Sequence, residues 1–263
     1  MDYQDILLEK DGAVRVLTLN RPAYDNAFNL RMRGEFQAAL REVQDDDDAR
    51  VVIITGAGKV FSSGGAIDKD KGRLEGSRLS PLKQALELKY NYTPEILNLD
   101  KAVIAAINGP VEGTGLAVCL ASDIRIAAKS ARIIDHFQER GYMPGGGSTY
   151  TLPRIVGVGR AMELLLTGGA FTAEEAAQIG LVNKVVPDSQ LMAEAKALAH
   201  KIARGSPTAI AMTKRVVYAG LSTDIYTHWK LETSALNTCF ASQDHAEALR
   251  AVAEKRAPQF KGR

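Results

Sequence analysis

Residues 103–115 read Val-Ile-Ala-Ala-Ile-Asn-Gly-Pro-Val-Glu-Gly-Thr-Gly, an apolar run that ends in a glycine-rich turn. Five consecutive apolar residues predict a strand that is buried on both faces, as in the centre of a parallel sheet. The turn leads into residues 116–121, an apolar stretch that predicts a helix. Because ligands bind at the carboxyl ends of parallel strands, this strand, turn and helix together predict a binding site.

A second unit of the same kind lies upstream. Residues 51–56 (Val-Val-Ile-Ile-Thr-Gly) predict another buried strand, and residues 59–65 form a second glycine-rich turn. Glycine lets backbone amides approach a ligand closely, and a helix N-terminus carries about half a positive charge. Two such turns can direct two N–H groups at one carbonyl oxygen, which is the geometry of an oxyanion hole. Neither turn matches a phosphate-binding loop, because no Lys-Ser/Thr pair follows the glycines.

The rest of the chain predicts an α/β core followed by helices. Residues 6–9 and 14–20 predict a hairpin around Asp11-Gly12, residues 30–43 a helix, and residues 123–127 a third buried strand. Alternation of strands with helices predicts a largely parallel sheet. From about residue 172 the pattern is almost all helical, at 173–179, 189–204, 207–218, 223–240 and 244–255. We therefore predict a core over residues 1–190 and a helical region over residues 191–263 that caps the core or packs against another subunit.

Composition narrows the class of protein. The net charge of +2, from 33 basic and 31 acidic residues, argues against general attraction to nucleic acid or to a membrane surface. Two distant cysteines, Cys119 and Cys239, predict no disulfide framework and no metal site, and they favour a reducing, cytoplasmic location. Neither a signal peptide nor an apolar run of about 18 residues is present. The acidic run at 45–48 predicts a solvated turn rather than a metal site, and the polar stretch at 69–80 predicts a mobile loop.

Several motifs together resemble one known family, the crotonase (enoyl-CoA hydratase/isomerase) superfamily, in their order and spacing over essentially the whole chain. They are Asn20-Arg21-Pro22 with Asn26-Ala27-Phe28, Phe61-Ser62-Ser63-Gly64-Gly65, the stretch 105–115, Gly141-Tyr142-Met143-Pro144-Gly145-Gly146 and Gly180-Leu181-Val182. The resemblance implies a ββα spiral core with a helical C-terminal trimerisation region, assembled as a homotrimer or a dimer of trimers. It also implies an acyl-CoA thioester substrate and no separate cofactor, since coenzyme A is part of the substrate.

The same resemblance implies roles for individual residues. The two oxyanion N–H groups are those of Gly65 and Thr114. The second of these positions is usually glycine in the family, but the donor belongs to the backbone, so threonine is compatible with it.

For coenzyme A, the resemblance implies that Lys59 lies near the phosphates and that Lys255 reaches the 3′-phosphate bound to a neighbouring subunit. Ala27 and Ile67 would line the pantetheine and adenine clefts through their backbone. The family has a further lysine in this loop, and Lys69 lies one position away from the residue that corresponds to it.

The chain departs from the family pattern in its acidic residues. The two glutamates with which hydratases activate water are replaced by Ala117 and Phe137, and neither replacement can exchange a proton. The nucleophilic aspartate of related aryl-CoA dehalogenases is replaced by Gly145. A common aspartate is replaced by Ala66, and the sequence alone does not distinguish a natural alanine from an introduced one.

The remaining acid–base candidates are Glu112, Glu139 and His136. An apolar pocket around a carboxylate raises its pKa toward neutrality, which suits proton transfer. The sequence leaves three reactions of one enolate open, namely hydration, double-bond isomerisation and hydrolytic cleavage of a β-keto C–C bond. It also leaves open a protein that binds acyl-CoA without turnover, and it does not specify the acyl group. The near-neutral charge disfavours RNA binding.

Overall fold

A mostly parallel sheet forms the centre of the molecule. The computed structural model describes residues 2–68, 73–74 and 92–263. Within these ranges the sheet has six strands, which in spatial order are β1 (Ile6–Asp11), β2 (Val14–Leu19), β3 (Val51–Gly56), β6 (Ala102–Ile107), β8 (Ile124–Ala128) and β11 (Lys184–Val186). β1 is antiparallel to β2, and every other neighbouring pair is parallel.

Both faces of this sheet are buried, which explains its continuous apolar sequence. Along β3, Val52 and Ile54 contact the larger core cluster on one face, whereas Val51 and Ile53 contact a second cluster on the other. All four side chains are fully buried. Alternate residues of a strand point to opposite faces, so two covering layers require apolar residues at every position.

A second, smaller layer of strands lies beside the first. It contains β7 (Val111–Glu112), parallel to β9 (Arg132–Asp135), which is in turn antiparallel to β10 (Gly169–Thr172). Single bridges between Ser62 and Val111 and between Phe28 and Gly65 extend this layer. A separate short pair joins β4 (Ile67–Asp68) to β5 (Arg73–Leu74).

Ten helices, counted over the described ranges, cover these layers. They are α1 (Leu30–Asp45), α2 (Tyr92–Leu97), α3 (Gly113–Ala121), α4 (Ser148–Val156), α5 (Val158–Thr167), α6 (Ala173–Gln178), α7 (Leu191–Ala203), α8 (Pro207–Gly220), α9 (Ile225–Phe240) and α10 (Gln243–Ala253). After β2, β6 and β8 the chain makes a short extended segment in the second layer and then a helix, which is α1, α3 and α4 respectively. This recurring strand, short strand and helix is the ββα repeat expected from the sequence.

Packing extends the core beyond the predicted boundary at residue 190. Helix α7 belongs to the predicted C-terminal region, yet its buried side chains, Leu191, Ala195, Ala199 and Ala203, form the second core cluster with the main sheet. The core therefore continues through α7. The sequence left open whether this region caps the core or packs against another subunit, because helices in either position have the same apolar periodicity.

The last three helices differ from α7. α8 is anchored to the core by Lys214, whose buried ammonium donates to the carbonyls of Ile96 (2.9 Å) and Lys101 (3.2 Å) and pairs with Asp123 (3.0 Å). α9 has no buried residue. It exposes several large apolar side chains, namely Ile225, Tyr226, Trp229 and Phe240. These side chains are exposed to solvent in the single chain.

Other expectations were confirmed or corrected locally. The five helices predicted from residue 173 onward are present, with ends shifted by one or two residues. The prediction of a solvated turn at 45–48 was wrong for Asp46, because the Asp46 carboxylate pairs with the buried guanidinium of Arg15 at 2.8 Å. The predicted loop at 69–80 lies outside the described residues except for 73–74. None of the helices in the described ranges combines the length and apolarity that crossing a bilayer requires.

Candidate active site

The two glycine-rich turns lie directly against each other. The Glu112 N–H donates to the Ser62 carbonyl at 2.9 Å, and the Phe61 N–H donates to the Pro110 carbonyl at 3.0 Å. A Cβ atom added to Gly113 would lie 3.2 Å from Gly64 Cα and 3.9 Å from Gly65 N. The backbones at 64–65 and 113 therefore approach more closely than residues with side chains would allow at both positions.

Strand pairing sets the direction of the Gly65 N–H. Phe28 donates to the Gly64 carbonyl at 2.7 Å and accepts from the Ala66 N–H at 3.0 Å. Alternate residues of a paired strand point their N–H and C=O groups to opposite sides. Gly65 therefore directs its own N–H away from Phe28, and no hydrogen bond between described residues uses that N–H.

The start of α3 supplies the second donor. Thr114 is the second residue of this helix, and the N-cap residue Glu112 makes no side-chain capping bond. The first amides of a helix have no partner within it, and the helix dipole places partial positive charge there. Within the described part of the chain the Thr114 N–H has no acceptor. Two unpaired N–H groups thus come from two adjacent turns, as the sequence predicted, and two such donors stabilise an oxygen that gains negative charge.

Ser62 contacts both turns. A Cβ added to Gly115 would lie only 2.5 Å from the Cβ of Ser62, so the first turn of α3 contacts this serine without space for a side chain. The Ser62 hydroxyl donates to the Asn26 carbonyl at 2.8 Å and accepts from the Gly64 N–H at 3.1 Å. Gly115 must therefore be glycine for steric reasons.

Asn26 is the anchor of this arrangement. It is fully buried, with a positive φ of 53°. Its amide donates to the carbonyls of Ala57 (2.9 Å) and Val60 (2.8 Å), and its side-chain oxygen accepts from the Arg21 N–H at 2.8 Å. The side chain thus connects the loop at Arg21 with the loop at 57–60, which leads to the Gly65 turn.

Replacing Asn26 by alanine is expected to lower the free energy of unfolding by about 3 kcal/mol or more. Three partly buried backbone groups would lose their partner, at ~1–3 kcal/mol each if left unsatisfied, and alanine tolerates a positive φ less well than asparagine. Urea denaturation measures the change. The matched control is Asn29→Ala, which removes the cap at the Met32 N–H and should cost about 1 kcal/mol. Equal losses in the two variants would contradict the anchoring role of Asn26.

The two positions that lack glutamate are apolar and buried. Ala117 lies one helical turn after Thr114, and a Cβ added to Gly146 would lie 2.9 Å from its methyl group. Phe137 is 7% exposed and packs edge-on against Tyr142, with 5.3 Å between ring centroids. Neither the Ala117 nor the Phe137 side chain has a group that can exchange a proton or hydrogen-bond water.

The acid–base candidates have different environments. Glu112 has a side chain that is only 13% exposed and forms an ion pair with Arg140. Glu139 is 67% exposed and lies 3.1 Å from Nδ1 of the partly exposed His136. The structure therefore places Glu112 next to the unpaired amides of α3, and it places Glu139 and His136 as a pair at the surface.

Asp135 and Arg140 are site residues that the sequence did not single out. Asp135 ends β9, is buried, and accepts from the Phe137 N–H at 3.2 Å. Burial raises the pKa of its carboxyl, the Phe137 hydrogen bond and His136 oppose this, and the charge of Glu112 raises it further. Its position two residues before Phe137 was the available signal.

The residues expected to contact coenzyme A do not form a cluster as clear as the two turns. Lys59 is exposed, and its carbonyl packs on Gly109. Both backbone groups of Ala27 have internal partners, Tyr24 for the N–H and Arg21 for the carbonyl, so only a second carbonyl lone pair remains for a ligand. Ile67 lies in β4.

Two lysines lie apart from these. Lys69 lies outside the described residues. Lys255 is exposed and follows α10, and α10 packs against α9. Within one chain Lys255 therefore does not lie at the two glycine-rich turns. No set of three or more His, Cys, Asp or Glu side chains, over the ranges that the structure covers, is arranged to hold a metal ion.

Comparisons with known proteins identify the family to which this fold belongs. A family model described as enoyl-CoA hydratase/isomerase matches residues 9–263. The short-chain-enoyl-CoA hydratase of Clostridium acetobutylicum is 38% identical over 259 residues, 97% of each chain. The 1,2-epoxyphenylacetyl-CoA isomerase of Escherichia coli is 34% identical over 260 residues, 98% of each chain. The crystal structure of enoyl-CoA hydratase from Bacillus anthracis superimposes with a TM-score of 0.91 at 35% identity, covering 99% of this chain and 100% of that one.

Proposed function

The chain belongs to the enoyl-CoA hydratase/isomerase family, and from that premise we propose that it forms the enolate of an acyl-CoA thioester between the N–H groups of Gly65 and Thr114. The predicted crotonase-type fold is confirmed, and the chain is an enzyme of the hydratase/isomerase type. The observation that carries the residue-level proposal is the pair of unpaired amides on two touching turns. Each donor contributes roughly 3–4 kcal/mol when the oxygen becomes anionic.

Within this type, double-bond isomerisation fits the site best. For a 3-enoyl thioester, the Glu112 carboxylate takes a proton from C2 and the electron pair of that C–H bond moves onto the thioester oxygen and C4. The same carboxylate returns the proton to C4, which gives the conjugated 2-enoyl thioester. One carboxylate suffices and no water is consumed, so the apolar walls at Ala117 and Phe137 are compatible with the reaction.

Hydration is the second candidate, favoured by relatives such as the short-chain-enoyl-CoA hydratase. In that reaction a water must be activated and a proton delivered to C2, and Glu112 would have to do both. Hydrolytic cleavage of a β-keto acyl-CoA also passes through this enolate and would need a positioned water. A protein that binds acyl-CoA without turnover is the remaining alternative.

The assembly and the coenzyme A contacts are also proposals. The exposed apolar face of α9 supports a homotrimer or a dimer of trimers. In such an assembly Lys59 and Lys69 would bind the phosphates of coenzyme A, and Lys255 would reach the 3′-phosphate of a neighbour's ligand. We further propose a cytoplasmic location, with no cofactor beyond the substrate's own coenzyme A and no nucleic-acid or membrane partner.

The absorbance of the conjugated thioester separates these reactions in one assay. With a trans-3-enoyl-CoA, isomerisation makes the absorbance rise, and with crotonyl-CoA, hydration makes it fall. We expect the rise to be at least about tenfold faster than the fall at equal enzyme concentration, a difference of ~1.4 kcal/mol in barrier height. A fall without any rise would assign hydration. Formation of acetate and acetyl-CoA from acetoacetyl-CoA would assign C–C hydrolysis. Tight binding with no change in any substrate would assign a non-catalytic protein.

A further inference from the structure

The carboxylate of Glu112 and the substrate oxygen compete for the same amide. Glu112 is the N-cap residue of α3, and Thr114 is the second residue of that helix. N-cap side chains bind the N–H of the second or third helical residue, and a carboxylate is attracted to the positive end of the helix dipole. Glutamate is not a preferred capping residue, but the Thr114 N–H has no other partner among the described residues. A self-capped Glu112 would occupy the donor that the thioester oxygen needs.

The structure shows Glu112 drawn to Arg140 instead. The guanidinium of Arg140 forms an ion pair with Glu112, and the helix receives no side-chain cap. Hydrogen bonds between ionised groups are stronger than neutral ones. The Glu112 side chain is 13% exposed and that of Arg140 is 43% exposed, so solvent screens the pair only in part. The ion pair therefore outcompetes a single capping bond from a backbone N–H.

Arg140 is itself held by a compact turn. Its N–H donates to the carbonyls of His136 (3.2 Å) and Phe137 (3.1 Å), and the Tyr142 N–H also donates to the Phe137 carbonyl at 3.1 Å. The Tyr142 ring packs edge-on against Phe137. The aromatic residue at the position of a hydratase glutamate thus supports the arginine that holds the remaining carboxylate.

We propose that Arg140 is a positioning residue that keeps the Glu112 carboxylate off the Thr114 N–H, so that the amide stays open to the thioester oxygen. Arg140 does not touch the reacting atoms, and it acts through Glu112. This inference rests on the proposed function, because it assumes that Gly65 and Thr114 receive the substrate oxygen.

Binding of acetoacetyl-CoA provides the test, because this β-keto thioester ionises readily to an enolate. In Arg140→Ala, Glu112 is expected to cap α3, and affinity for acetoacetyl-CoA should fall about 30-fold, within the range known for misplaced site groups. Removing the competitor should reverse the loss. The double variant Arg140→Ala/Glu112→Ala should bind within about threefold of the single variant Glu112→Ala. Added guanidinium ions should restore part of the affinity of Arg140→Ala, and Arg140→Lys should retain most of it.

Calorimetry with acetoacetyl-CoA measures all five proteins, and Arg154→Ala is the matched control. Arg154 is also an exposed arginine, bonded to the Tyr150 carbonyl at 2.9 Å, and its removal should leave affinity unchanged. Unaltered binding by Arg140→Ala would overturn the inference, and so would equal weakening in Arg140→Ala and the double variant, since that indicates a purely structural role. Failure of the unsubstituted protein to bind acetoacetyl-CoA would instead overturn the proposed function itself.

Discussion

Replacing Thr114 by proline is expected to lower kcat by about 10²–10³-fold, because it deletes one of the two proposed oxyanion donors. Proline is tolerated in the first turn of a helix, where the missing N–H had no helical partner. The preceding residue, Gly113, has no Cβ to clash with the proline ring. The substitution therefore removes the donor with little change to the fold.

The control for this variant is Thr114→Ala, which keeps the N–H and removes only the side chain. Its kcat should stay within about threefold of the unsubstituted enzyme, and both variants should unfold within about 1 kcal/mol of it in urea. Coenzyme A has no thioester carbonyl, so both variants should bind free coenzyme A equally. Comparable activity of the proline and alanine variants would refute the role of the Thr114 amide.

Replacing Glu112 by glutamine is expected to reduce the rate of proton transfer by about 10²–10⁴-fold, the usual contribution of a general acid–base group. Glutamine keeps the size of the side chain but cannot accept the C2 proton. Exchange of the C2 hydrogens of butanoyl-CoA with D2O, followed by mass spectrometry, measures this step without hydration or isomerisation. Affinity for butanoyl-CoA should change much less than the exchange rate.

The same measurement decides between the two glutamates singled out in the sequence. Glu139→Gln should leave exchange within about threefold of the unsubstituted enzyme, because its exposed carboxylate is paired with His136. Glu163→Gln, on the exposed surface of α5, is the matched control. Loss of exchange in Glu139→Gln together with normal exchange in Glu112→Gln would transfer the proton-transfer role to Glu139.

The sequence predicts those parts of the site that depend on local patterns. Residues 103–115 contain the buried strand, the glycine turn and the helix start in one continuous stretch, so periodicity and glycine predict a helix N-terminus at this turn. The choice of Thr114 as the donor comes from the family resemblance. Phe28 illustrates the opposite case. Its bridge to Gly65 sets the direction of the first N–H, but the two residues are far apart in sequence and a single bridge leaves no periodic signal.

The acid–base residue could not be chosen from the sequence for a related reason. Glu112 and Glu139 have equivalent chemistry, and only tertiary contacts separate them, since one is paired with Arg140 in a nearly buried position and the other with His136 at the surface. Similarly, β7 has only two residues, too few for an alternating pattern to be recognised.

The bridge at Phe28 has a consequence for how this protein can acquire new reactions. The N–H of Gly65 is oriented by main-chain pairing. Replacement of a neighbouring side chain would therefore alter the groups around the proposed enolate without disturbing the N–H that we propose stabilises it. Acids can be lost, as at Ala117 and Phe137, and others recruited, while the intermediate remains accessible. Different products can then be formed from the same intermediate.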